Sequence, residues 1–145
     1  MGIFGKKTPS EDRDPAILAG DESYSFDEVV GEPFYRDALL GLIADATPEE
    51  RSSGEVFKKA LIAKEPNNEY DRNAIVVRID GQKVGHIAKE VTSDIHSVLS
   101  SLGTQGFNDF GFICDAVIGW NVKDQDAPIG VRLDLNMQGE DEDEA

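Results

Sequence analysis

A short polar segment between two apolar runs holds the densest group of side chains that could recognise a ligand. The segment, residues 66–74, reads Pro-Asn-Asn-Glu-Tyr-Asp-Arg-Asn-Ala and is followed by Ile75-Val76-Val77. A simple connection between two strands needs only one or two turn residues. This connection adds an aromatic ring, carboxylates and several side-chain amides. We call residues 66–74 the recognition loop and predict that it binds a ligand.

The chemistry of the recognition loop suits a nucleotide. The Tyr70 ring is a flat surface on which a base can stack, for about 1 to 3 kcal/mol per base. The Asp71 carboxylate accepts hydrogen bonds and repels phosphate, so it would favour a terminal sugar hydroxyl over an internal phosphodiester. The structural alternative is that both are ordinary surface residues of a loop. Asn67, Asn68 and Asn73 could bond nucleic acid, or they could hold the loop through Asx turns.

Two further positions could contribute to such a site. Phe34 and Tyr35 lie between a predicted strand and a predicted helix. Neighbours in an extended chain point to opposite sides, so one ring could be exposed. Alternatively, both rings belong to the core or pack against the helix. His86 and Lys89 could meet a phosphate, or they could be a surface residue of a strand and a charge beside a helix.

The sequence offers little for catalysis. Cys114 falls on the inward face of an apolar strand, which favours a structural thiol over a nucleophile. Two histidines and one cysteine cannot complete a zinc site without carboxylate ligands. The glycine-containing segment 81–85 lacks the lysine and hydroxyl pair of a phosphate-binding loop. We therefore predict no enzymatic activity, no metal and no cofactor.

The charge distribution is uneven. The formal net charge is -15, which opposes non-specific binding to nucleic acid. Residues 56–90, however, carry seven basic and five acidic side chains, and the recognition loop lies within this region. A single cysteine excludes an internal disulfide and is compatible with a cytoplasmic location. No apolar run approaches the length of a membrane helix, so no membrane association is expected.

The pattern of apolar residues predicts one domain that is mainly β. We expect a flexible N-terminal lead over residues 1–24, a folded domain over 25–137 and a disordered acidic tail over 138–145. Helices are predicted over 36–45 and 91–102, with a further helical turn after Thr47 and an end at Gly103. Strands are predicted over 26–31, 55–64, 74–80, 82–88, 110–120 and 129–135, with a hairpin turn at Asp80-Gly81. Six strands with two or more helices indicate a small barrel.

The order of these blocks resembles a HIRAN domain. The resemblance rests on Val29-Val30-Gly31 followed by Phe34-Tyr35, on the segment 65–77 around the recognition loop, and on Gly81-Gln82-Lys83-Val84-Gly85-His86-Ile87. It covers residues 26–103 well and the last two strands loosely. The insertion over residues 36–54 is similar to that of small stand-alone bacterial members.

The resemblance implies an OB-like six-stranded barrel that captures the 3′-hydroxyl end of single-stranded DNA, as helicase-attached members do. By position, Phe34 and Tyr70 would sandwich the terminal base and Asp71 would accept from the 3′-hydroxyl. The residues that would touch phosphate or sugar are Tyr35, Asn68, His86 and Lys89. The chain departs from those members at Pro33, where they carry a base-contacting arginine, and at Phe34, where they carry a tyrosine.

We therefore predict a non-enzymatic DNA-binding module that prefers a single-stranded 3′ end and acts in DNA repair. A helicase or a nuclease would be its protein partner. The alternative is an acidic protein-interaction or regulatory module that does not bind DNA, which the net charge of -15 motivates. A third hypothesis, an enzyme, has the least support because no nucleophile triad or metal cluster is recognisable.

Overall fold

A single mixed sheet forms the framework of the protein. The computed structural model describes residues 13–19, 29–30 and 35–135. Within these residues the order of the strands is β1-β6-β3-β4-β5-β2, and β7 pairs with β6 beside β1. The strands are β1 (Ala16–Ile17), β2 (Val29–Val30), β3 (Glu55–Lys64), β4 (Ile75–Ile79), β5 (Gln82–Ile87), β6 (Gly111–Gly119) and β7 (Gly130–Asp134). The helices are α1 (Arg36–Ile43), α2 (Pro48–Ser53) and α3 (Lys89–Thr104).

The two longest strands, β3 and β6, form the centre of the sheet and supply much of the core. They pair antiparallel over most of their length. Buried residues alternate with more exposed ones along β3, as the period-two pattern of apolar residues predicts for a strand with one covered face, and β6 buries Val117 of its other face as well. Apolar side chains of α1 and α3 pack into the same core. Its largest fully buried side chains are Phe112, Leu39, Ile62, Ile75, Ile79, Ile95, Leu99, Ile118 and Leu133.

Local sequence signals account for the ends of α2. Thr47 and Glu50 form a capping box, in which each side chain accepts from the backbone N–H of the other residue. Gly54 ends the helix with a φ of 78°. A Cβ atom at this position would lie 2.6 Å from the Trp120 carbonyl oxygen. Glycine is therefore required both by the backbone conformation and by the close approach of the Trp120 carbonyl, directly after β6.

The mainly β class and the three helices agree with the prediction, but the closed barrel does not. The strands at the two ends of the sheet order are β1 and β2. Within the described part of the chain no backbone ladder joins β2 to β7, although the two strands lie near each other. Because β2 comprises two residues there, it offers little backbone for a further ladder. Seven strands are present within the described ranges, where six were predicted for the chain.

The additional strand comes from the segment predicted as a flexible lead. Ala16 and Ile17 pair in parallel with Phe112 and Ile113 of β6. Ala16 is buried in the core, which gives this short strand a hydrophobic anchor. The folded part therefore begins before residue 25, the predicted start of the domain. The predicted acidic tail over residues 138–145 lies outside the described residues.

Candidate functional site

Side-chain hydrogen bonds give the recognition loop its shape. The Asn68 Oδ1 atom accepts from the backbone N–H groups of Tyr70 at 2.8 Å and of Asp71 at 2.9 Å. One carboxylate oxygen of Asp71 accepts from the N–H of Asn73 at 2.9 Å. These bonds are Asx-type turns, in which a side chain replaces a backbone acceptor. Asn68 is thus a structural residue of the loop, as the alternative interpretation of the asparagines proposed.

The two ends of the recognition loop are tied to the rest of the protein. The N–H of Glu65 donates to the Ala74 carbonyl at 3.0 Å, which closes the neck of the loop. The His96 ring of α3 bonds the Asn73 carbonyl at 2.9 Å. The loop is therefore connected both to the strand pair β3 and β4 and to the helix.

Glu65, directly before the loop, is the centre of a network of polar side chains. One carboxylate oxygen, Oε1, accepts from Asn68 Nδ2 at 2.9 Å and lies 2.7 Å from His86 Nε2. The other, Oε2, lies 2.7 Å from Lys83 Nζ. Burial of the carboxyl raises its pKa, but the hydrogen bonds from Lys83, Asn68 and His86 outweigh this effect and lower the pKa of Glu65 to about 2. Glu65 is therefore ionised throughout the neutral range.

A β-bulge directs two side chains of β5 to the same carboxylate. The pairing with β4 skips Val84, so β5 has one extra residue between Lys83 and Gly85. In a regular strand Lys83 and His86, three positions apart, would point to opposite faces. The bulge changes this alternation, and both side chains reach Glu65.

Next to this network lies an open cleft with a volume of about 360 Å³. The Tyr35 and His86 rings lie on one part of its wall, with centroids 6.3 Å apart and planes inclined by 56°. Tyr70 belongs to the rim, and its side chain is 89% exposed. An exposed ring of this size next to a polar cleft can offer its face to a planar ligand. The lining residues are Tyr35, Glu65, Asn67, Asn68, Glu69, Tyr70, Lys83 and His86.

The structure brings together part of the predicted site. Tyr35, Asn68, Tyr70 and His86 all line the cleft. Two other predicted residues in the described ranges are absent from its lining: Asp71 is half-buried with one oxygen bonded to the Asn73 N–H, and Lys89 is exposed at the first position of α3. Phe34, like Pro33, lies outside the described residues.

Sequence reasoning missed Glu65 and Lys83. Both lie within the sequence blocks on which the HIRAN resemblance rests, but neither was assigned a role in the site. Lys83 reaches the site because of the bulge in β5, and no residue in the sequence of β5 predicts that bulge. The position of Glu65 at the neck of the recognition loop was the available signal, since a charged residue between a strand and a proline has few local partners.

Two observations on the described residues concern metal binding and nucleophilic chemistry. No cluster of three or more histidine, cysteine, aspartate or glutamate side chains that could hold a metal ion was found among them. Burial, together with the nearby carboxylates of Asp115 and Asp134, raises the pKa of the Cys114 thiol to about 12. The thiol is therefore protonated at neutral pH and inert as a nucleophile.

None of the helices in the described ranges is long and apolar enough to cross a membrane.

Comparison with known proteins identifies a domain type for the central part of the chain. Residues 49–115 match the family model of the HIRAN domain. The matched segment runs from α2 into β6 and contains the recognition loop, Glu65 and the bulge of β5. The resemblance drawn from the sequence is thus confirmed at the level of the domain type for these residues.

A solved structure is also similar to part of the chain. It is the crystal structure of the HIRAN domain of human HLTF, with 18% sequence identity, a TM-score of 0.29 and coverage of 55% of this chain and 74% of that one. No curated protein matches the chain.

Proposed function

We propose that this protein is a nucleic-acid-binding module that holds the 3′ end of a single DNA strand in the cleft beside the recognition loop. The observation that carries the proposal is the Tyr70 ring, which is 89% exposed on a loop that side-chain hydrogen bonds hold in place. A large exposed aromatic ring on a restrained loop loses little conformational entropy on binding. The HIRAN match over residues 49–115 supports a nucleic acid as the ligand.

In this proposal the terminal base stacks on Tyr70, with Phe34 as the ring on its other face. The unbonded oxygen of Asp71 accepts a hydrogen bond from the terminal 3′-hydroxyl. Tyr35, Asn68 and His86 lie along the sugar-phosphate chain, and Lys89 meets a phosphate further along it. Charge favours a hydroxyl over a phosphate at the strand end, because the carboxylates of Glu65 and Glu69 outnumber the one lysine of the cleft lining, Lys83, and would repel a terminal phosphate.

The wider role follows from this binding mode. The module is non-enzymatic and uses no metal or cofactor. It acts in the cytoplasm in DNA repair, beside a helicase or nuclease that processes the strand. The helices α1 and α2 occupy the insertion over residues 36–54, and the resemblance of that insertion to small stand-alone bacterial members is the reason for proposing that type.

The test is a titration of the protein into short fluorescent single strands at low salt, with the dye at the 5′ end. One strand ends in a 3′-hydroxyl and a second ends in a 3′-phosphate, and anisotropy reports binding. We expect tighter binding of the hydroxyl end. Equal affinity for the two ends would exclude recognition of the 3′-hydroxyl end. An absence of binding to either strand would exclude the proposed binding of single-stranded DNA.

A matched pair of variants locates the binding surface. Tyr70→Ala should weaken binding about 5- to 150-fold, which corresponds to the loss of about 1 to 3 kcal/mol of base stacking. Phe57→Ala is the control, because Phe57 is also an exposed aromatic side chain, at 58%, but lies on β3 and not in the cleft lining. Equal effects of the two substitutions would place the binding surface elsewhere.

A further inference from the structure

We infer that Glu65 is a positioning residue for ligand recognition: its carboxylate locks the recognition loop to β5 and thereby fixes where Tyr70 and Asp71 stand. This inference rests on the proposed function, because it assigns how the site for the strand end is held. In the proposed site, Glu65 neither stacks on the base nor accepts a hydrogen bond from the 3′-hydroxyl.

The first step of the argument is the chain of contacts. Glu65 Oε1 accepts from Asn68 Nδ2 at 2.9 Å. The same Asn68 side chain, through Oδ1, accepts from the backbone N–H groups of Tyr70 and Asp71 at 2.8 and 2.9 Å. Glu65 therefore holds the amide group that holds the backbone of both ligand-binding residues. A second bond, from the Asn68 N–H to the Glu65 carbonyl at 3.0 Å, strengthens the connection.

The second step concerns the other partners of the carboxylate. His86 Nε2 and Lys83 Nζ, both from β5, lie 2.7 Å from its two oxygens. The loop at the end of β3 is thus fastened to a different strand by one side chain. Charge-assisted bonds of this kind are stronger than neutral ones, and three on one carboxylate fix its orientation.

The third step separates positioning from direct contact. The Glu65 side chain is 17% exposed, and both of its oxygens already have partners. A carboxylate in this state has little capacity left for a ligand, and it would repel a phosphate. Any contribution of Glu65 to tighter binding must therefore pass through Asn68, His86 and Lys83.

The experiment measures backbone amide hydrogen exchange in the full chain, without DNA, for the wild type, Glu65→Gln and Glu65→Ala. We expect faster exchange at the Tyr70 and Asp71 amides, by about fivefold or more in Glu65→Ala, because the hydrogen bond that orients Asn68 is lost. Glu65→Gln should show a smaller change, since its amide oxygen can still accept from Asn68. Amides in the centre of β6 should stay strongly protected, which shows that the variants are folded, and any acceleration there should match the loss of global stability measured by urea unfolding.

The control is Glu55→Gln. Glu55 is the first residue of β3, at the end of the strand opposite the recognition loop, and its Oε2 accepts from Arg132 at 3.2 Å. Its substitution should leave exchange at Tyr70 and Asp71 unchanged. Unchanged exchange at these two amides in Glu65→Ala would overturn the inference.

A DNA titration of the same variants completes the test. We expect both Glu65 variants to bind the 3′-hydroxyl strand more weakly than the wild type, with Glu65→Ala the weaker. Faster exchange with unaltered affinity would overturn the role in recognition. If the wild type binds no DNA, the proposed function fails, while the exchange measurement still decides whether Glu65 positions the loop.

Discussion

The connection between β3 and β4 and the connection between β4 and β5 each join two antiparallel strands, but they differ in length and in what holds them. Asp80 and Gly81 reverse the chain in two residues, with φ values of 51° and 80°. The connection over residues 65–74 takes ten residues to join two antiparallel strands. The short turn is held by backbone conformation, whereas the long one is held by the side chains of Glu65, Asn68 and Asp71.

This difference separates a connection that only reverses the chain from one that also presents an aromatic side chain to solvent. A two-residue turn with positive φ at both positions matches the twist of its strands. Its one side chain, Asp80, lies 3.5 Å from Lys58 Nζ of β3. The long connection adds eight residues that strand pairing does not require, and it leaves the Tyr70 ring exposed. Ordering those residues has an entropic cost, which the polar network around Glu65 offsets.

The largest expected effect concerns the charge that holds the long connection. Glu65→Gln should lower the free energy of unfolding at pH 7 by up to about 3 kcal/mol, because the pKa of Glu65 falls from 4.5 to about 2 on folding. Since the folded-state pKa is depressed, this stability is complete above about pH 4.5 and is lost as the pH falls toward 2. Urea unfolding of both proteins across this range measures it. A wild-type advantage that stays constant with pH would contradict the assignment.

A smaller effect distinguishes two similar turns. Asn68→Ala removes two bonds to backbone N–H groups and should cost about 1 to 2 kcal/mol of stability. Asn121→Ala is the matched control, because Asn121 Oδ1 accepts from the Lys123 N–H at 2.8 Å in the connection between β6 and β7. Both variants should be less stable in urea unfolding, but only Asn68→Ala should bind DNA more weakly. Weaker DNA binding by Asn121→Ala as well would mean that general destabilisation, not the loop, governs affinity.

The smallest effect tests the short turn. Gly81→Ala should lower stability by about 1 kcal/mol, because alanine is strained at a φ of 80° while a Cβ there meets no atom within 4 Å. Gly41→Ala, in α1 with equally open surroundings, should raise stability by about 0.5 to 1 kcal/mol. Thermal or urea unfolding measures both, and neither variant should change DNA affinity. A loss of affinity in Gly81→Ala would show that the short turn also contributes to recognition.

The comparison also shows which parts of the structure local sequence signals predict. The bounds of β3 agree with the prediction, and those of β4 and β5 lie within one residue of it, because strand patterns and the Asp80-Gly81 turn are local. The capping box at Thr47 is equally local. The helix α3 ends at Thr104, one residue after the predicted end at Gly103. At Gly103 the helix packs closely against Asp109.

The errors arose where distant segments meet. Whether the sheet closes depends on a ladder between β2 and β7, which no local pattern specifies. The strand β1 is two residues long and is stabilised by pairing with β6, almost a hundred positions later. Short segments of this kind have too few residues for a recognisable periodicity, so their structure depends on the partner that tertiary folding supplies.

The sequence by itself determined the mainly β class, the principal helices and strands, and a polar loop that carries the exposed ring of Tyr70. Tertiary structure decided what holds that loop. Lys83 and His86 would point to opposite faces of a regular strand, and the bulge in β5 turns both toward Glu65. A bulge depends on the register between two strands, and a carboxylate becomes the centre of a network only when its partners arrive from elsewhere in the chain.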